Sequence, residues 1–393
     1  MNKKLQKNKF KICFTKTGRI ILSMCIGAII GIFMAIFGKH IFDNMDTFND
    51  IIFSIPLLIA LLMVAFMLQL ILHEAGHLIC GIWSGYEFVS FRVGSLTFVK
   101  EDGNIVLKKF KVAGTGGQCL MMPPEGNGYD CPYILYNLGG ILMNFLVSCL
   151  CIILYIVFPM PKLIAMFLIF TAISGIYDVI VNGIPMKVSG ISNDGHNILS
   201  MKKDKLSRHS FYIQLRVNGL LYQGIRIKDM PLRWFELPPN ANLNHSLISS
   251  IKCLEATYYH DKKEFDKAKE CYETLLNNAP NLIKLFQNEI NCELLFYEII
   301  GQCRKEIIDK LYTKELKKYI KLTDCYITRK RLMYAYAVIV EKDNVKADKL
   351  LKEIDIVKKT YPAKAEVESE LEIIEFIRWL PSVTLPSSLG VRY

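Results

Sequence analysis

No acidic side chain occurs in the first 19 residues, and no C-x-x-C pair occurs anywhere in the 393. The first absence leaves Lys3, Lys4, Lys7, Lys9, Lys11, Lys16 and Arg19 unopposed, and they supply most of the net charge of +11. The remainder of the chain is close to balanced, so the basic total does not indicate a nucleic-acid partner. The second absence, with 12 cysteines scattered and two of them (Cys149 and Cys151) inside an apolar run, excludes a disulfide framework or a zinc knuckle and reads as reduced thiols. With 24 glycines and 14 prolines the chain is neither collagen-like nor of low complexity. A cleavable secretion signal is missing too: the first apolar run is longer than a signal core and lacks a small-residue cleavage site. What is abundant is apolar residues. A hydrophobic share of 52% and a mean hydropathy of +0.26 exceed soluble norms, while 22% charged residues are too many for a chain wholly in lipid. A membrane part joined to a water-exposed part is expected.

Four apolar stretches approach or exceed the ~20 residues that a helix needs to cross a bilayer: Ile20–Gly38, Ile51–Leu72 continuing to about Trp83, Pro132–Pro161, and Leu163 to about Met186. Basic residues in short loops mark the cytoplasmic side. They occur in residues 1–19 and in 84–131 (Arg92, Lys100, Lys108, Lys109, Lys111), whereas 39–50 holds only Lys39. Both termini are therefore expected in the cytoplasm. The fold class expected is mainly α: a polytopic membrane helical bundle of about four spans with a small β-hairpin element, followed by a cytosolic α-solenoid-like helical domain. The divisions read from composition are a basic N-terminus (1–19), a membrane domain (20–203), a bridge (204–240), a helical domain (241–381) and a C-terminal tail (382–393).

The strongest chemical signal is His73-Glu74-Ala75-Gly76-His77, which follows 22 uncharged residues directly. At 3.6 residues per turn, His73 and His77 share a helix face, so both imidazoles can meet one metal ion with Glu74 beside it as general base. Ionisable groups placed in a span are costly unless they have a function. A hydrolytic zinc site also needs a third protein ligand and an open position. On the same expected side of the membrane stand Asn193-Asp194-Gly195 and His196, after Asn182-Gly183-Ile184-Pro185, and Asp178 lies within the fourth apolar stretch.

These residues resemble the site-2 protease family, the intramembrane zinc metalloproteases, which pair an H-E-x-x-H helix with a later N-x-x-P segment ending in Asp-Gly. The resemblance covers about residues 51–200. It implies one Zn(2+) per chain held by His73, His77 and Asp194, with Glu74 as the catalytic base and Asn182 and Pro185 as the N-x-x-P element. Two departures are plain: Asp194 follows Asn182 by about four residues more than is usual, and Asn193 stands where a leucine is common. His196 and Asp178 are the alternatives for the third ligand, and Asp178 is also a candidate to orient a ligand histidine. Gly140-Ile141-Leu142-Met143-Asn144 is similar to the family's G-P-x-x-N with isoleucine for proline, and Asn144 reads as a helix-packing polar residue.

Between the second and third stretches, Leu96–Lys100 and Ile105–Val112 flank Glu101-Asp102-Gly103-Asn104, a turn sequence that predicts a β-hairpin. Gly116–Met122 is expected near the active site. There Gly116 and Gly117, like Asn182, are candidates to contact the substrate or the oxyanion, because an unwound membrane helix needs an edge to satisfy its freed backbone groups. In the tail, Tyr259, Phe265, Ala268, Tyr272 and Pro280 have the spacing of a tetratricopeptide unit, with a weaker echo at Ala347 and Leu351, which suggests a degenerate stack of six or seven helices. The expected protein is thus a zinc metalloendopeptidase that cuts a small membrane-anchored peptide or protein. Its other partners are the lipid bilayer and a cytosolic protein or peptide on the tail, with no nucleic acid. The Lys-, Ile- and Asn-rich composition points to a bacterial plasma membrane. The competing class is a non-catalytic zinc-binding membrane scaffold that recruits a partner through its tail. A transporter is disfavoured by the few spans and the absence of an internal repeat.

Overall fold

The computed structural model describes residues 48–112, 115–188 and 191–383. The apolar stretch Ile20–Gly38, the basic N-terminus and most of the C-terminal tail lie outside these. The described residues are mainly helical and divide into two compact units: one of residues up to 80 with 134–188 and 192–199, the other of 81–133, 189–191 and 200 onward.

The first unit is built on three helices long and apolar enough to cross a membrane: α1 (Phe48–Trp83), α2 (Tyr133–Val157) and α3 (Lys162–Gly183). All three are apolar over most of their surface, the composition of a helix that is buried or membrane-spanning. Met63, Val64, Phe145, Leu146, Ile156 and Ile164 are exposed on them. Where these helices meet, small residues replace bulk. Gly76 of α1 faces Gly139 of α2 so closely that a Cβ on Gly76 would stand 2.2 Å from the Gly139 carbonyl oxygen, and one on Gly139 2.3 Å from that of Gly76. Gly175 of α3 makes room for Ser148 and Gln69 in the same way. This is the small-residue crossing that lets membrane helices gain dispersion contact where water supplies no driving force. After α3, the short strands β5 (Lys187–Val188) and β6 (Ile191–Ser192) lead into α4 (Asp194–Lys203).

The second unit opens with an antiparallel sheet of β1 (Glu87–Val93), β2 (Leu96–Glu101), β3 (Asn104–Lys109) and β4 (Gly117–Met122), in the order β3-β2-β1-β4. The expected hairpin is β2–β3, with Glu101 paired to Asn104. Asp102 and Gly103 both have positive φ (49° and 83°), the type I′ geometry that matches strand twist. The sheet is larger than the hairpin expected, and β4 shows why. Cys119, Leu120, Met121 and Met122 are all buried, so the strand lacks the in–out alternation by which a strand is recognised in sequence. Arg92, on β1, donates to the carbonyls of Gly94 and Gly117 and to Thr115, which ties down the loop leading into β4.

The rest of this unit is helical. Within residues 204–240 lie α5 (Lys205–Tyr222), capped by the Asp204 carboxylate accepting from the Leu206 and Ser207 amides, and two short 3-10 turns. Then come α6 (Ser246–Asp261), α7 (Phe265–Asn278), α8 (Lys284–Ile300), α9 (Lys305–Leu311), α10 (Lys314–Leu322), α11 (Ile327–Ala335), α12 (Asn344–Thr360) and α13 (Lys364–Val383). Their shared core contains Ala268, Tyr272, Leu275, Phe296, Ile327, Ile354 and Ile377. Lys263, at φ 62°, turns the chain from α6 into α7, and a π-helical segment, Tyr336–Glu341, follows α11. Phe110, just past β3, belongs to the same core and packs on Tyr326 and Tyr361. Lys108 donates to the Tyr361 carbonyl at 2.9 Å, and Lys364 pairs with Asp102 at 3.1 Å.

Candidate metal centre

His73 and His77 lie one turn apart on α1, and Asp194 opens α4. The structure brings the three together: His73 Nε2 to Asp194 Oδ2 is 3.2 Å, His77 Nε2 to the same oxygen 3.5 Å, and the two Nε2 atoms are 3.1 Å apart. Among the described residues these three form the cluster of histidine and carboxylate side chains close enough to share an ion, and neither Asp178 nor His196 is in it. Glu74 is buried on the same turn, at 8% exposure, as are both histidines, and its charge acts on the His77 ring.

The backbone decides which ring nitrogens carry protons. His77 Nδ1 is 2.7 Å from the Tyr136 carbonyl, which can only accept, so Nδ1 is the protonated nitrogen and Nε2 presents a lone pair. His73 is settled through a chain of three side chains. Gln69 Nε2 donates to the Thr171 carbonyl at 2.8 Å, so its Oε1 faces Asn144. Asn144 Nδ2 donates to that oxygen at 2.7 Å and to the Gln69 carbonyl at 3.0 Å. Asn144 Oδ1 is therefore the acceptor for His73 Nδ1–H at 2.6 Å, and His73 Nε2 is left with its lone pair as well. Two imidazole lone pairs and a carboxylate thus converge. Such a set is mutually repulsive until a cation sits among it.

The donor separations suit zinc, whose bonds of ~2.0–2.1 Å at tetrahedral angles place donors about 3.3 Å apart. Three protein donors leave the fourth position open, as hydrolytic sites require. Asn144 does more than pack helices, since it fixes the tautomer and orientation of a candidate ligand, and Gln69 orients it in turn. Neither role is visible in sequence spacing, because the residues sit on two helices whose register only packing sets. Gly140 is part of this arrangement: a Cβ there would lie 2.4–2.6 Å from three atoms of the His73 ring. Replacing Asn144 with leucine is expected to weaken zinc binding about 10–100-fold, read by chelator competition. Unchanged affinity would mean that the hydrogen bond does not hold the ring.

Asn193 explains how the long loop presents Asp194. Its Nδ2 donates to the Val181 carbonyl at 2.6 Å and the Ile184 carbonyl at 2.7 Å, and its Oδ1 accepts from the Met186 and His196 amides at 3.0 and 2.9 Å. These bonds knot the end of α3 to the start of α4 across the additional residues, a task that leucine could not perform. Gly195 completes the approach, because a Cβ there would meet the Gly183 carbonyl oxygen at 2.3 Å.

The other expected site residues fall as follows. Asn182 is the penultimate residue of α3, with its carbonyl beside Gly195. Asp178 is buried on α3. Gly116 accepts from the Gly94 amide, and Gly117 opens β4 opposite Val93, both in the second unit. Comparison with family models, curated proteins and solved structures finds no match, so the chemistry of this centre is argued from its own geometry.

Proposed function

We propose that this chain is an intramembrane zinc metalloprotease of the site-2 kind, hydrolysing a peptide bond in a small membrane-anchored peptide or protein. The observation that carries the reading is the convergence of the His73 and His77 Nε2 lone pairs on the Asp194 carboxylate, with Glu74 one residue from a ligand. A structural zinc site would have no use for that fourth, basic group. His73, His77 and Asp194 would hold the ion, which supplies Lewis acidity toward water and the scissile carbonyl when bound. Glu74 takes the proton from the attacking water and passes it to the departing amine, so that the C–N bond breaks without expelling an amide anion. Asn182 is the candidate to steady the oxyanion or the substrate.

The location follows as part of the same reading. α1, α2 and α3 cross the plasma membrane of a bacterium, and the distribution of lysine and arginine puts residues 84–131 and the chain after α3 on the cytoplasmic side. The helices after residue 241 form a tetratricopeptide-like stack that receives a peptide or protein.

The direct test is metal content by mass spectrometry on detergent-purified protein. About one zinc per chain is expected in the wild type, and less than a tenth of that in Asp194→Ala. An apo wild type after zinc reconstitution would end the enzyme reading. Full zinc in Asp194→Ala would move the third ligand to His196 or Asp178.

A further inference from the structure

A second polar site lies in the helical part of the second unit and shares no residue with the metal centre. A cavity of about 310 Å³ opens among α5, α6, α8 and α13, at the small end of the ~300–1,000 Å³ typical of ligand pockets. Its walls are apolar along one side, with Leu221, Leu254, Phe286 and Ile290. Elsewhere it is lined by five carboxylates: Asp261, Glu289, Glu293, Glu366 and Glu370.

Three arginines answer these five acids. Arg226 pairs with Asp261, Arg329 with Glu289, and Arg331 bridges Glu293 at 2.7 Å and Glu370 at 2.6 Å. Among the described residues, Glu366 receives the Tyr361 hydroxyl at 2.8 Å and forms no ion pair with a basic side chain. Burial pushes its carboxyl up to about 7, and the neighbouring Glu370 and Glu289 charges push in the same direction against the Tyr361 bond and the Arg329 charge. An ionised carboxylate in such a place is under-compensated.

A second observation is independent of the acids. His260 is 4% exposed and lines the cavity, and its Nε2 has no hydrogen-bond partner. Its Nδ1 is engaged with the Tyr297 hydroxyl at 2.8 Å, while Nε2 faces Glu370 Oε1 across 3.7 Å, too far for a hydrogen bond. Native proteins rarely leave a buried ring nitrogen idle. The Tyr297 hydroxyl can donate or accept; where it takes Nδ1–H, Nε2 is left as an acceptor facing Glu370, whose charge Arg331 already shares with Glu293.

We propose that this cavity binds a primary ammonium group on an unbranched aliphatic stem, the chemistry of a lysine side chain, with Glu366, Glu370 and His260 Nε2 as its acceptors. The ammonium offers three N–H donors to these acceptors, and the methylenes lie along the apolar wall. Five carboxylates against three arginines leave two unmatched, and one ammonium offsets one of them. The site stands whether or not the metal centre is catalytic.

The test is calorimetry on the full chain in detergent, using a capped ten-residue Gly/Ser peptide with one central lysine as the probe. Binding is expected, with a loss of tenfold or more when that lysine is acetylated, and a similar loss in Glu366→Gln. Thermal unfolding at pH 8 separates this loss from misfolding. A carboxyl whose folded pKa is raised favours folding below its unfolded value, and that contribution fades as pH rises through the folded value. Glu366→Gln should therefore unfold at the same or a higher temperature than the wild type at pH 8. Free 1,5-diaminopentane identifies the source: displacement of the peptide at matched concentration marks a free amine as a sufficient ligand, and failure to displace marks a peptide-borne one. No heat with either cation, equal binding of the acetylated peptide, or undiminished binding by a folded Glu366→Gln would overturn the proposal.

Discussion

Glu74→Gln is expected to retain about one zinc per chain and to cut peptide-bond hydrolysis by about 10²–10⁴-fold, the usual contribution of a positioned general base. Glutamine keeps the size and polarity of the side chain but cannot accept and return a proton, so the loss should appear in turnover. The contrast with Asp194→Ala is what gives the experiment its force: one substitution removes the chemistry and leaves the metal, whereas the other removes the metal. Cleavage of a panel of single-span peptides, followed by mass spectrometry of the products, reads both. Hydrolysis by Glu74→Gln at the wild-type rate would show that the carboxylate beside His73 is not the base.

Gly139→Ala should be nearly as damaging, although residue 139 touches no metal ligand. Its new Cβ would stand 2.3 Å from the Gly76 carbonyl oxygen, a backbone atom that cannot rotate away, so α1 and α2 must separate. Overpacking of this kind costs roughly 1–3 kcal/mol. The separation also draws His73 away from Asn144 and His77 away from the Tyr136 carbonyl, since each ring sits on α1 and each partner on α2. Zinc affinity and thermal stability in detergent should fall together. Gly183→Ala is the matched control, because its Cβ would meet nothing nearer than Ile141 Cγ2 at 3.7 Å. Equal behaviour of the two variants would mean that the glycine crossing does not hold the histidines in register.

Much of the centre was legible before any coordinates, for a definite reason. Two histidines four apart on a helix carry their geometry in their spacing, and a charge following a long apolar run is conspicuous. Asn144, Gln69 and Gly140 were not legible, because their task depends on which turn of α1 faces which turn of α2, and no local pattern encodes that. Asn193 stood out only as a missing leucine, and its four hydrogen bonds turn the departure into the device that holds the longer loop. The β2–β3 hairpin was readable from Asp102-Gly103, whose backbone requirement is local. β4 escaped because Met121 and Met122 are both buried, and a strand that hides both faces looks like any apolar run.

The position of Phe110 has a consequence for how the molecule is assembled. Its ring completes a core otherwise made of helices that begin at Ser246, so residues 81–133 and the chain from 200 onward close a single hydrophobic interior. The earlier segment must wait, with that aromatic ring unsheltered, until the later one has been synthesised. On the proposed reading, α2 and α3 are threaded into the bilayer during that wait. Two crossings return a chain to the side it left, so the pair preserves the partnership, and any change that added or removed one crossing between residues 133 and 200 would strand the two halves of this core on opposite sides of the membrane.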